Sequence, residues 1–126
     1  MSVTLRLSLP ADARAPRAAR AALGGLDGLD DGVRSTATLL LSELVTNAVR
    51  HAGLRPDEEI DVTIAVGGGV RVAVADGGPG FAHDVAAQSA SPYGGRGLVM
   101  VDLLADRWGV DGGGGARVWF ELDGGA

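Results

Sequence analysis

The chain contains no cysteine and no lysine. Without cysteine there is no disulfide framework and no thiolate metal centre, so an intracellular, cytoplasmic setting is expected. Without lysine, a Walker A phosphate loop is excluded, and so is the strand lysine of eukaryotic-type protein kinases. All 11 basic residues are therefore arginine, against 16 acidic ones, for a net charge of −5. A nucleic-acid partner needs a basic face and is not expected. No apolar run reaches the roughly 20 residues that span a bilayer. The N-terminus also lacks the basic-then-apolar pattern of a signal peptide, so no membrane association is expected.

What is present suggests a globular protein. The 126 residues, 46% hydrophobic and 21% charged, suit a single domain, residues 1–126, with a real core. Glycine is abundant at 21 residues, and beyond Gly67 most glycines fall in short runs: Gly67–Gly69, Gly77–Gly80, Gly94–Gly97 and Gly112–Gly115. Such runs mark tight turns or places where the backbone approaches a ligand closely.

Val3, Leu5, Leu7 and Leu9 alternate with Thr4, Arg6 and Ser8, the pattern of a half-buried strand that Pro10 ends. Ala13–Leu23 is helical by propensity, and its Arg14, Arg17 and Arg20 share one side, either solvated or facing a partner. The acidic residues of the loop Gly24–Asp31 can cap a long helix from Asp31 to Ala52, with Gly53 as its C-terminal cap. After a Pro56–Glu59 turn, Ile60–Val66 and Val70–Val74 alternate on either side of Gly67–Gly69, an antiparallel hairpin. Phe81–Tyr93 has no period and is expected to be a loop or short irregular helix. A helix with Leu98, Val101, Leu104 and Ala105 inward then precedes two strands, Arg107–Val110 and one carrying Val118, Phe120 and Leu122. The expected fold is α+β, a two-layer sandwich with a mixed, mostly antiparallel sheet and helices on one face.

The long helix carries the densest chemistry. With about 100° per residue and Glu43 at zero, Asn47 stands near 40° and His51 near 80°. The core stripe of Leu40, Val33, Leu44, Ala37, Ala48 and Leu41 spans roughly 60° to 160°. The polar trio thus runs along one flank of the buried face, where rigid support lies below and a cavity can lie above. Taken alone, Glu43 is equally well read as part of a solvated flank. Downstream, Asp76 ends a strand before a glycine turn, from where its carboxylate can project into a cleft; alone, an Asp-Gly turn needs no ligand. Gly94–Gly97 precedes a helix, and free amides at a helix start can hold phosphate.

Together these stretches resemble the GHKL ATPase superfamily, which includes gyrase-type, chaperone and histidine-kinase ATP-binding domains. Glu43-Leu44-Val45-Thr46-Asn47-Ala48-Val49-Arg50-His51 is similar to its N box. Asp76-Gly77-Gly78-Pro79-Gly80-Phe81 is similar to its first glycine box, and Gly95-Arg96-Gly97-Leu98 to its second. The small size and the phrases SELVTNAVRHAG, GGRGL and VWFEL resemble the bacterial anti-sigma-factor serine/threonine kinases. No dimerisation and phospho-acceptor helix pair precedes the motifs, so a complete sensor histidine kinase is not expected.

The resemblance implies a Bergerat-type ATP-binding fold, ATP and Mg²⁺ as ligands, and protein partners: an anti-sigma-factor antagonist to phosphorylate and a sigma factor to sequester. It implies that Asn47 holds Mg²⁺ and that Glu43 orients or deprotonates the attacking hydroxyl. Asp76 would read the adenine amine, with Gly78, Gly80 and Phe81 around the base. Gly95, Gly97 and Leu98 would lie at the phosphates, where Arg50 and Arg96 can neutralise charge. His51 either orients a phosphate or Asn47, or is simply packed and hydrogen-bonded. Two departures stand out. Gly115-Ala116-Arg117 occupies the place of the usual last-strand threonine, and only about a dozen residues separate the glycine boxes. A non-catalytic ATP-binding module that sequesters a partner therefore remains the rival reading, with an ATP-binding domain beside receptor or phosphatase modules as a third. Whether the chain is a monomer or a homodimer is left open.

Overall fold

Period-two alternation in the sequence becomes one five-stranded sheet, and period-3.6 spacing becomes the helices that cover it. The computed structural model describes residues 2–52, 59–76, 96–111 and 117–124, with the backbone alone for residues 51, 52, 76 and 96–98. In chain order the elements are β1 (Val3–Pro10), α1 (Arg14–Gly24), α2 (Asp31–Ala52), β2 (Glu59–Val66), β3 (Gly69–Asp76), α3 (Arg96–Leu104), β4 (Arg107–Asp111) and β5 (Arg117–Asp123). The sheet order is β1-β2-β3-β5-β4. Every pairing among the described strands is antiparallel, so the mixed character expected of the sheet is not seen among them. The expected cap Gly53, the Pro56–Glu59 turn up to residue 58, and Phe81–Tyr93 lie outside the described residues.

The β2–β3 hairpin closes as the sequence predicts, Val66 pairing with Val70. Its tip needs glycine twice. Gly68 has φ 72°, the left-handed region that a Cβ disfavours. A Cβ on Gly69 would stand 2.5 Å from the carbonyl oxygen of Leu122 on β5.

On the helix-facing side of the sheet, Ile60, Val62, Ile64, Val72, Val74, Val118 and Phe120 have no exposed surface. Onto them packs α2 through Ala37, Leu40, Leu41, Leu44, Val45 and Ala48, all fully buried. Val45 lies at roughly 200°, outside the expected stripe. Its burial follows from α1, which covers α2 from a second side through Ala15, Ala19 and Leu23 at positions i, i+4 and i+8. Alanines at that seam let the two backbones approach closely. Val33, at the start of the stripe, is only half-buried.

The α1–α2 corner is held by polar contacts that satisfy helix ends. The Asp30 Oδ1 accepts the Val33 N–H at 3.0 Å, the N-cap of α2. Arg34 reaches back from the first turn of α2 and donates to the carbonyls of Leu23 at 3.1 Å, Gly24 at 3.3 Å and Leu29 at 3.4 Å.

Helix α3 departs from expectation in one respect. Leu104 is 46% exposed, and Leu103 and Val99 more so, at 75% and 52%. Val101 is the one fully buried side chain described on α3, with Met100 partly buried beside it. The helix stops at Leu104, which lines a surface cleft with Leu122 and Asp123 at the end of β5 and Val33 and Thr36 of α2.

The outer face of the sheet is polar, with one aromatic feature. The Arg71 guanidinium lies 4.5 Å from the centroid of the Trp119 ring, a cation–π contact. A Cβ on the facing Gly109 would stand 2.8 Å from that ring, so glycine is what lets the indole lie across β4.

Arg34→Ala should lower unfolding stability by about 1.5–3 kcal/mol, the worth of hydrogen bonds to a charged group, with the urea midpoint falling at constant slope. An unchanged midpoint would mean that water caps those carbonyls equally well.

Candidate functional site

The topology brings the sequence motifs to one end of the molecule. Ile60, the second residue of β2, pairs with Asp76, which closes β3. Only residues 53–58 join the end of α2 to β2, so Asn47–Ala52 and Asp76 lie toward the same end of the sheet. Leu104, the last residue of α3, shares a surface cleft with Val33 and Thr36 near the start of α2. Helix α3 therefore runs antiparallel to α2, with which it packs. Its nine residues span ~13 Å, which carries its first turn back toward the second half of α2. The N box, the last residue of β3 and the start of α3 converge.

Within that corner Asn47 is the telling residue. It is only 7% exposed and is the buried polar side chain among the described residues. Its Nδ2 is buried with no hydrogen-bond partner among the described residues. A buried amide left unpaired costs about 1–3 kcal/mol, so such a group calls for a partner. Turning the carboxamide by 180° exchanges its nitrogen and oxygen, so the unpaired end can offer a donor to phosphate or an oxygen to a hard cation. Glu43, one turn earlier, is half-buried, and Arg50, near the end of the helix, is exposed. Beneath them Leu44 and Ala48 are fully buried and hold the turn rigid.

From the other side, Arg20 of α1 donates to the Ser42 hydroxyl at 2.9 Å, tying α1 to α2 one residue before Glu43. Arg14, Arg17 and Arg20 are all exposed. The sequence marked the arginines but not this bond, because a contact between residues 22 apart has no local signal.

The remaining predicted positions are placed in part. Asp76, Arg96, Gly97 and Leu98 are fixed by backbone as the end of β3 and the start of α3, and His51 by backbone near the end of α2. Gly78, Gly80, Phe81, Gly95 and the Gly115-Ala116 departure lie outside the described residues.

Other features of the surface do not compete with this corner. The groove of about 460 Å³ lined by Arg6, Ser8, Asp61, Thr63, Ala73 and Arg117 lies on the outer face of the sheet, away from α2. Its Asp61 is already engaged, accepting the Ser8 hydroxyl at 2.8 Å. Surface groups among the described residues show shifted proton affinity. Hydrogen bonds from Arg14 hold the Asp12 carboxyl below the usual carboxylate range, and Asp123 raises Arg107; both are surface ion pairs. Among the described residues no cluster of three or more His, Cys, Asp or Glu could hold a metal by itself. A lone carboxamide oxygen suits only a cation that takes the rest of its shell from phosphate and water.

A two-layer sandwich with these motifs at one corner defines a nucleotide-binding domain of the histidine kinase-like class. The chain belongs to the histidine kinase-like ATPase domain family, whose model matches residues 8–122. Among solved structures it is similar to the RsbU and RsbW domains of Rv1364c from Mycobacterium tuberculosis, at 26% identity and a TM-score of 0.71. That match covers 96% of this chain but only 32% of the other, so the chain spans about a third of its length. A comparison with curated proteins gave no match. No helix described is long and apolar enough to cross a membrane.

If the Asn47 amide is kept for a ligand, Asn47→Leu should leave the free protein as stable as before or more so, by up to about 1 kcal/mol, because an apolar isostere removes the unpaired group. A clear loss of stability in thermal or urea unfolding would assign Asn47 a structural bond instead.

Proposed function

We propose that the protein is an ATP-dependent serine/threonine kinase of the anti-sigma-factor type, which phosphorylates an antagonist protein and sequesters a sigma factor. The observation that carries this reading is the buried Asn47 Nδ2, without a partner among the described residues, one helical turn from the half-buried Glu43. Membership of the histidine kinase-like ATPase family supports nucleotide as the ligand.

In the proposed reaction the acceptor hydroxyl oxygen attacks the γ-phosphorus, the bond to the ADP oxygen breaks, and the hydroxyl proton passes to the Glu43 carboxylate. Asn47 would hold Mg²⁺, whose charge neutralises the phosphates when bound. The amides at the start of α3 would meet the phosphates, helped by Arg50 and Arg96, since the chain has no lysine to serve them. Asp76 would accept a hydrogen bond from the adenine amine.

The second reading, a module that binds ATP only as a structural ligand, is favoured by Gly115-Ala116-Arg117 in place of a last-strand threonine. The RsbU domain beside the RsbW domain in the Mycobacterium tuberculosis chain favours a domain working next to another module, with the chemistry at Glu43 and Asn47 unchanged.

Transfer from radiolabelled ATP to candidate antagonist proteins decides between kinase and module. Asn47→Ala should weaken both Mg-dependent ATP binding and turnover. Glu43→Gln should still bind ATP and partner but transfer phosphate roughly 10²–10⁴-fold more slowly. Transfer at the wild-type rate in Glu43→Gln rules out Glu43 as the base. A wild type that binds a partner tightly and transfers nothing establishes the module.

Asp76→Asn should lose about 1–3 kcal/mol of ATP affinity and with it most of the preference for ATP over GTP. Equal calorimetric affinities for the two nucleotides in the wild type would remove Asp76 from the adenine site.

A further inference from the structure

Helix α3 is a poorly anchored element for one that carries a glycine box at its start. Its C-terminal end is tied to the sheet: the Ala105 N–H closes the last turn on Val101 O at 2.8 Å, and the Asp106 N–H donates to Glu121 O at 2.9 Å. The Asp106 carboxylate in turn accepts the Asp123 N–H at 2.7 Å. Along the described side chains of the helix, Val99, Leu103 and Leu104 are exposed, Met100 is partly buried and Val101 is fully buried. A helix pinned at one end, with much of its described surface exposed, can tilt, and the tilt grows with distance from the pin.

Among the described residues a side-chain bond opposes it. The Trp108 Nε1–H of β4 donates to the Asp102 Oδ1 at 3.0 Å. Trp108 pairs with Phe120, so its ring lies on the helix-facing side of the sheet, partly buried against the core. The indole is thus fixed by packing while its one donor reaches up to the helix, the usual division of labour in a half-buried tryptophan. The ring is a rigid strut, where a lysine or arginine would bring a flexible stem.

We infer that Trp108 is a positioning residue for the nucleotide site, holding α3 through Asp102 so that the amides of its first turn stay aimed at the phosphates. The inference rests on the proposed reading of that turn as the phosphate site. Asp102 lies six residues, or ~9 Å, along the helix from Arg96. A small rotation there becomes a displacement of the first turn, and shifts of about 1 Å at a reacting centre are costly. Trp108 touches neither substrate nor acceptor; it acts through the helix.

The test uses four variants: Trp108→Phe, which keeps a ring and loses the donor; Asp102→Ala, which loses the acceptor; Asp102→Asn, which keeps an acceptor oxygen; and the double variant Trp108→Phe/Asp102→Ala. Mg-ATP affinity is measured by calorimetry, and amide exchange along α3 by mass spectrometry without nucleotide. Trp108→Phe and Asp102→Ala should each weaken Mg-ATP binding by about tenfold, the worth of one charge-assisted bond. The double variant should be no worse than either single one, and Asp102→Asn should recover most of the loss. Exchange in the first turn of α3 should quicken in the weakened variants while β2 and β3 stay protected. A lowered urea midpoint with unchanged ATP affinity makes the bond merely structural and overturns the inference, as does additivity in the double variant. A wild type that binds no Mg-ATP overturns the reading of the site itself, and the inference with it. A wild type that binds, with Trp108→Phe binding equally well, overturns the inference alone.

Discussion

The structure depends on how one helix divides its circumference. Helix α2 must fill the core with Leu40, Leu41 and Leu44 while presenting Asn47 at the rim of the same buried band. Each fully buried leucine contributes about 1.5–3 kcal/mol, so a few of them offset the cost of one unpaired amide. The division is angular: roughly 40° separates Glu43, which reaches solvent, from Asn47, which does not. A one-residue slip of the helix would turn the amide about 100° away and put Thr46 or Ala48 in the corner. The caps at Asp30 and Arg34 resist such a slip, because they fix where the helix begins and how the preceding one ends.

Much of this was legible in the sequence, because the signals were local. The alternation in β2, β3 and β5 predicts which residues face the helices, and each of Ile60, Val62, Val72, Val74, Val118 and Phe120 is buried. Helix α2 spans Asp31–Ala52, as its periodicity predicts, and starts at the expected acidic cap. The motifs of the GHKL superfamily predict both the fold and the family, and the convergence of the N box, the end of β3 and the start of α3 follows from the topology. What was not legible depended on neighbours distant in sequence. Val45 is buried on the side of α2 toward α1, Leu104 is exposed at a cleft beside the end of β5, and the Trp108–Asp102 bond requires β4 to lie under α3. None of these is written in the spacing of a single element.

The two ends of the sheet divide the labour. At one end, Gly69 and Gly124 pack so closely that neither could carry a side chain, and the Gly124 N–H donates to Gly68 O at 2.9 Å. The hairpin tip and the end of β5 are locked backbone to backbone. At the other end stand Asp76 and the second half of α2, where the Asn47 Nδ2 has no partner among the described residues. Rigidity at the glycine-packed end is compatible with adaptation at the opposite one, since strain there need not travel through the sheet.

The two tryptophans of the chain stand on adjacent strands, yet on opposite faces of the sheet. Trp108 faces the helices and is bonded to α3, whereas Trp119 lies on the outer face under Arg71. In optical terms the molecule carries two separate reporters. The emission of one follows the seating of α3 beside the nucleotide corner; the emission of the other follows whatever settles on the open face of the sheet. Light from a single chain can therefore distinguish events on its two sides.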